Sequence, residues 1–106
     1  MEKLVAYKRM PVWNKDTMPE AVQRKHNTKV GTWGKITVLK GTLKFIELTE
    51  DGEVIAEHLF EAGADNPMAQ PQAWHRVEAA TDDVEWYLEF YCKAEDYFPK
   101  KYNTNP

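Results

Sequence analysis

Through most of this chain apolar and polar residues alternate with a period of two, the repeat of strands rather than of helices. Between Lys35 and Leu48, Ile36 and Val38 fall on one side and Thr37 and Leu39 on the other, before Gly41 turns the chain into Leu43 and Phe45. This pattern predicts a β-hairpin over residues 35–48. The turn Glu50-Asp51-Gly52 offers a glycine for a positive φ and joins that hairpin to a strand over residues 53–60. A looser connection, Ala62-Gly-Ala-Asp-Asn-Pro67, leads to a second predicted pair, residues 74–79 and 84–92, separated by the polar turn Ala80-Thr-Asp-Asp83. In the last strand Val84, Trp86, Leu88, Phe90 and Cys92 form an apolar face opposite Glu85, Tyr87, Glu89 and Tyr91. The apolar side should lie on a core.

One helix is expected. Thr17-Met-Pro-Glu20 has the spacing of a capping box, in which hydroxyl and carboxylate satisfy each other's exposed amide groups, and Pro19 suits an early helical position. The helix should end before His26, with strands following. Gly31 and Gly34 bracket Trp33 and loosen the backbone ahead of the first long strand. Several short strands with turn signals between them predict an all-β, antiparallel sandwich or barrel. A length of 106 residues suits one core, so residues 1–98 are expected to form a single domain, with 99–106 a polar, proline-bounded tail or linker.

The pair Leu39-Lys-Gly-Thr-Leu43 and Pro71-Gln-Ala-Trp-His75 has the order of a cupin barrel: a strand-glycine-strand turn, then a proline-led turn delivering a histidine into a strand. The segments 10–16, 23–41, 53–58, 70–79 and 91–98 resemble, in order and spacing, the TehB/YeaR-like family, the cupin-like domain at the N-terminus of a tellurite-resistance protein. The likeness covers nearly the whole chain. It implies an antiparallel double-stranded β-helix, a cupin-like jelly roll with one short N-terminal helix. It also implies a non-catalytic role in tellurite resistance, binding a small ligand or oxyanion, mediating dimerisation, or both, beside a methyltransferase activity supplied elsewhere. In full-length members of the family a methyltransferase domain follows the residues that resemble 100–104, where this chain is expected to stop.

Histidines are the source of any metal chemistry, since neutral imidazole is a common ligand of zinc, iron or nickel. Catalytic cupins carry a His-x-His pair and a glutamate before the glycine turn. By the count back from Gly41 this chain has Gly34 at the glutamate position and no histidine from Asn27 to Val30, so that half of the site is broken. His75 stands at the single-histidine position of the second motif, and His26, slightly upstream of the first, could approach it through a bulge. These two are the candidate metal ligands, with Gln70, a carboxylate or water completing the shell. Alternation places Glu78 opposite His75, which leaves Glu47 or Glu89, with the choice open. A small metal-binding cupin using His26 and His75 is thus the alternative to the accessory domain. The plainer reading of His75 is a hydrogen-bonded histidine at the barrel mouth. His58 reads as solvent-facing, and His26 as either loop surface or pocket.

Arg24, Lys25, Lys29 and Arg76 could hold an oxyanion by charge-assisted hydrogen bonds, or stand as solvated charges balanced by Glu20, Glu78 and Asp82. The candidate ligand-binding set is therefore His26, Gln70, His75 and Arg76. Trp74, sent outward beside an inward His75, is an interface candidate for a homodimer, or else packs against Val12 and Trp13. Cys92, the single cysteine, reads as a buried, inert thiol without a disulfide partner. The net charge of -3 provides no basic face for nucleic acid. No apolar run approaches the ~20 residues of a membrane span, and residues 1–9 lack the apolar core of a secretory signal, so a cytoplasmic location is expected. No glycine-rich strand-to-helix turn is present: Gly31-Thr-Trp-Gly34 precedes a strand. Methyl transfer and catalytic residues are accordingly not assigned to this chain alone.

Overall fold

A computed structural model describes residues 3–97. In chain order the elements are β1 (Leu4–Arg9), β2 (Trp13–Asn14), α1 (Glu20–Gln23), β3 (Trp33–Lys40), β4 (Thr42–Leu48), β5 (Val54–Glu61), β6 (His75–Ala79) and β7 (Glu85–Lys93), with a short 3-10 turn at Ala94–Asp96. The expected tail at 99–106 lies outside the described residues. All strand pairings are antiparallel and fall into two sheets. In the first, β7 is central: β1 and then β2 pair along one edge and β3 along the other. In the second, the order is β5-β4-β6. The sheets do not close into a barrel. No helix among the described residues is long and apolar enough to cross a membrane.

The alternation read along the strands places the core. Trp13, Ile36, Val38, Val84 and Trp86 from the first sheet meet Leu43, Phe45, Phe60 and Val77 from the second in one buried apolar cluster. Phe45 stacks on Phe60 with ring centroids 5.0 Å apart, and Trp13 meets Trp86 edge-on at 5.2 Å. Such aromatic pairs add about 0.5–1.5 kcal/mol beyond the area they bury.

The predicted hairpin over 35–48 is not one. β3 and β4 both form, but they belong to different sheets: β3 pairs with β7, and β4 with β5 and β6. Gly41 is the corner between the sheets. Its φ of 71° is left-handed, and a Cβ there would collide with the side chains of Thr81 and Asp83 and meet the Val84 backbone at 3.0 Å. The predicted pairing of 74–79 with 84–92 fails for the same reason, because the turn at 80–84 is also a crossing between sheets. The two corners lock together. The Thr42 N–H donates to Thr81 Oγ1 at 3.0 Å, and the Ala80 N–H to the Thr42 carbonyl at 3.1 Å. The hairpin that does form is β4–β5, around the turn containing Gly52.

The short helix lies where expected, but Thr17 does not cap it. Asn14 Oδ1 accepts from the Asp16 and Thr17 N–H groups while Thr17 Oγ1 accepts from the Asn14 N–H, so these side chains close a local turn. Asn and Thr offer nearby amides this alternative to a helix start, and Pro19 is left at the N-cap position. β1 had no sequence counterpart, because its residues are mostly exposed and carry no alternation.

Candidate functional site

Two loops bring the site together. In the first, Thr28 is buried, and its hydroxyl donates to the Thr32 carbonyl at 2.7 Å and accepts from the Gln72 N–H at 3.3 Å. The second is the turn at 70–73, in which the Ala73 N–H donates to the Gln70 carbonyl at 3.2 Å. Pro71 holds the first central position and Gln72 the second, with a left-handed φ of 64°. The chain that leaves this turn enters β6 with His75 facing inward.

His26 and His75 then form a direct antiparallel bridge. The His26 N–H donates to the His75 carbonyl at 3.0 Å, and the His75 N–H to the His26 carbonyl at 2.9 Å. Residues paired in this way share a face, and the two imidazoles meet edge-to-face with centroids 4.4 Å apart. No bulge is needed. His26 Nδ1 lies 2.8 Å from the Arg24 carbonyl; a carbonyl can only accept, so this nitrogen carries a proton and donates it.

His75 is 5% exposed. Burial first, and then the neighbouring His26, lower its pKa from 6.5 to about 4 against the opposing pull of the Ala73 backbone and Glu47. The ring is therefore neutral near pH 7. Its Nδ1 is buried without a hydrogen-bond partner, as is the indole Nε1 of Trp86, which is 1% exposed. Both side chains line one cavity of about 120 Å³ between the sheets. Its remaining wall is mostly apolar, including Ile36, Val77, Leu88 and Phe90, with His26 and Thr28 at one side. Gly34, standing where a catalytic cupin would carry its glutamate, is also part of the wall. The volume is well above the ~10–15 Å³ that admits one water.

A second cavity of about 150 Å³ adjoins the first at Ala69 and is lined by Phe45, Glu47, His58, Gln70 and Trp74 among others. Here the sequence expectation for His58 is corrected. It is half-exposed at the cavity rim, and its Nε2 is hydrogen-bonded to Glu47 Oε2. Glu47 stands opposite His75 and His75 opposite His26, so these three run in a row across the second sheet, while His58, opposite Phe45 in the next row, reaches Glu47 on the diagonal of the same face. The signal was available: His58 and Phe60 share a strand parity that places both inward. It was missed because charged neighbours made β5 look like surface.

The other predicted site residues separate by face. Arg76 points away from His75 and bonds Glu78, which alternation had put on that opposite side. Glu89 is on the outer face of the first sheet, 3.2 Å from Arg9, so of the two open carboxylates only Glu47 shares a face with His75. Arg24 pairs with Glu20 at 2.6 Å. Gln70 lines the second cavity and not the first. Trp74 is half-buried, with the Lys25 ammonium 4.7 Å from its ring centroid, while Trp13 packs instead on Trp86. Cys92 is only partly buried, and its thiol pKa is raised, mainly by burial and then by Asp96, which disfavours a thiolate. Among the described residues no group of three or more His, Cys, Asp or Glu side chains is arranged to hold a metal ion.

Comparison with known proteins agrees with this architecture. Residues 8–88 match the model of the TehB-like domain family. A curated relative, the "Probable S-adenosyl-L-methionine-dependent methyltransferase TehB" of Haemophilus influenzae (strain ATCC 51907 / DSM 11121 / KW20 / Rd), is 67% identical over 102 residues, covering 96% of this chain and 36% of the relative. The crystal structure of TehB from H. influenzae superposes with a TM-score of 0.88 at 67% identity, over 96% of this chain and 36% of that one. A crystal structure of an Escherichia coli (strain K12) protein gives a TM-score of 0.76 at 28% identity, covering 83% and 89% of the two chains. This chain thus spans about a third of the TehB relative it matches. The fold, the order of its segments and these similarities together place the chain in the TehB-like domain family.

Proposed function

We propose that this chain is a cupin-like jelly-roll accessory domain that binds a small uncharged ligand between its sheets and acts, without catalysing a reaction itself, beside a methyltransferase in tellurite resistance. One observation carries the reading: the inner cavity is lined by His75 and Trp86, two buried side chains that each keep a ring nitrogen, Nδ1 and Nε1, without a hydrogen-bond partner of good geometry. Leaving such an atom unpaired costs about 1–3 kcal/mol, which a ligand with matching polar groups would recover. An oxyanion is the poorer fit, since the lining includes no Lys or Arg and His75 is neutral. The chain's association with a methyltransferase rests on the 67% identity to the TehB relative. Assembly as a homodimer through the Trp74 face and residence in the cytoplasm belong to the same proposal.

The metal-binding alternative draws on the His26–His75 pair, whose nitrogens could supply two donors. A tetrahedral site with catalytic capacity generally has three protein ligands, and among the described residues no third His, Cys, Asp or Glu is grouped with the pair to hold a metal ion. The donor set is therefore short of a catalytic metal site.

Gly34 provides the test. A Cβ there would make ordinary contacts of 3.5–3.7 Å with Leu88, Ala69 and Thr28, so Gly34→Ala should fold normally while narrowing the cavity. In the native protein, dimethyl sulfoxide, a small neutral acceptor, should shift the Trp86 indole N–H resonance saturably, and Gly34→Ala should weaken that response. An unshifted Trp86 resonance would remove the proposal. A full equivalent of copurifying zinc, iron or nickel, lost in His75→Ala, would replace it with the metal-binding reading.

A further inference from the structure

We infer that the second cavity is a separate binding site for a small organic cation carrying an ammonium group. This goes beyond the inner-cavity reading and does not depend on it. Glu47 is the one Asp or Glu lining this space, and no Lys or Arg lines it. The carboxylate accepts from His58 through Oε2, its side chain keeps 46% of its exposure, and it has lone pairs to spare beyond that bond. His58 therefore orients the acid without covering it.

Two aromatic side chains supply the rest of the recognition. Phe45 is held in place by its stack on Phe60, and Trp74 stands across the cavity at the start of β6. The Trp74 ring already attracts a cation: the Lys25 ammonium lies 4.7 Å from its centroid and bonds the Glu50 carbonyl, outside the cavity lining. A carboxylate and an indole lining one space select alkylammonium groups, because the ring quadrupole and the acid attract the same charge while methyl groups fill the apolar wall, to which buried Phe45 contributes. The Gln70 side chain, also in the lining, has an amide oxygen that can accept from an ammonium N–H.

The contrast with the inner cavity lies in charge. There the titratable groups are the two imidazoles; here a carboxylate faces the space.

The experiment is an NMR titration of the full chain with tetramethylammonium chloride and methylammonium chloride, using tert-butanol as the neutral control of similar shape. Both cations should shift the Trp74 indole and His58 imidazole resonances saturably, with tert-butanol at least about tenfold weaker. Glu47→Gln, which keeps an acceptor for His58, should weaken tetramethylammonium binding by about the same factor. Lys25→Gln should retain or tighten it. Should Glu47→Gln fail to fold, Trp74→Leu carries the same expected loss. The inference is overturned if tert-butanol binds as well as the cations, if neither cation shifts these resonances, if Glu47→Gln or Trp74→Leu binds undiminished, or if zinc chloride alone saturates the two resonances while the cations do not.

Discussion

Along β4 the inward-facing residues change character within one step of the strand. Leu43 is fully buried and Phe45 stacks on Phe60, so this end of the second sheet belongs to a continuous apolar cluster shared with Trp86 and Val84. Glu47, the next inward residue, belongs instead to a row of titratable side chains that continues through His75 on β6 to His26, with His58 on β5 bonded to Glu47 from the adjoining row. The mouth end leaves two cavities and an unpartnered His75 Nδ1. Stability and recognition are thus divided along a single strand, with Phe45 at the border: its ring lies 5.0 Å from both Phe60 and His75. A binding site can keep unsatisfied groups because the packed end holds the sheets together.

The largest effect should come from breaking the packed end. Leu43→Ala removes a fully buried side chain and should cost about 2–5 kcal/mol in urea unfolding, whereas Glu47→Gln at the half-exposed mouth should cost less than about 1 kcal/mol. Equal losses would dissolve the division between the two ends.

A smaller effect is expected from pH. Unfolded His75 takes up a proton below about pH 6.5, and folded His75 only near pH 4, so in that window the unfolded state binds more protons. Stability should therefore fall as pH drops from 6.5 toward 4, by roughly 3 kcal/mol at most, and this component should level off below. His75→Phe removes that component while other acid-sensitive groups remain. The urea midpoint of the native protein should fall more steeply than that of the variant as the pH is lowered through this range; parallel profiles would show that burial does not lower the imidazole pKa.

The smallest change sharpens the loop that positions the mouth. Gln72 holds a left-handed φ of 64°, which glycine adopts without steric cost. Gln72→Gly should raise stability by about 0.5 kcal/mol, the strain relief being offset in part by greater freedom of the unfolded chain. A measured loss would mean that the Gln72 side chain makes a contribution beyond the turn.

Much of this division was legible in the chain, and particular residues show why. Alternation alone put Glu78 on the face opposite an inward His75, as observed. It also put Trp86 in the core and Leu39 on the side opposite Ile36 and Val38. The proline-led turn before His75 was readable because Pro71 restricts the backbone. The partner of each strand was not readable. A period of two says which side a residue faces and nothing about which strand lies beside it, so residues 35–48 looked like a hairpin when Gly41 was in fact carrying the chain to the other sheet. His58 was hidden by the same limit, since its role depends on Glu47 in the neighbouring strand. Thr17 was misread because a local competitor, Asn14, took the hydrogen bonds assigned to a helix cap.

By itself the amino-acid order determined a strand-rich domain with one short helix, the inward and outward faces of most strands, and the absence of a His-x-His pair ahead of Gly41. Those properties follow from local backbone geometry and side-chain period. Tertiary structure alone decided that the corners at Gly41 and 80–84 interlock, that three histidines from distant segments share one face, and that the space beside them stays partly unfilled. The physical reason is that a cavity and an unpaired buried atom are properties of how two sheets meet, and no single stretch of chain contains both.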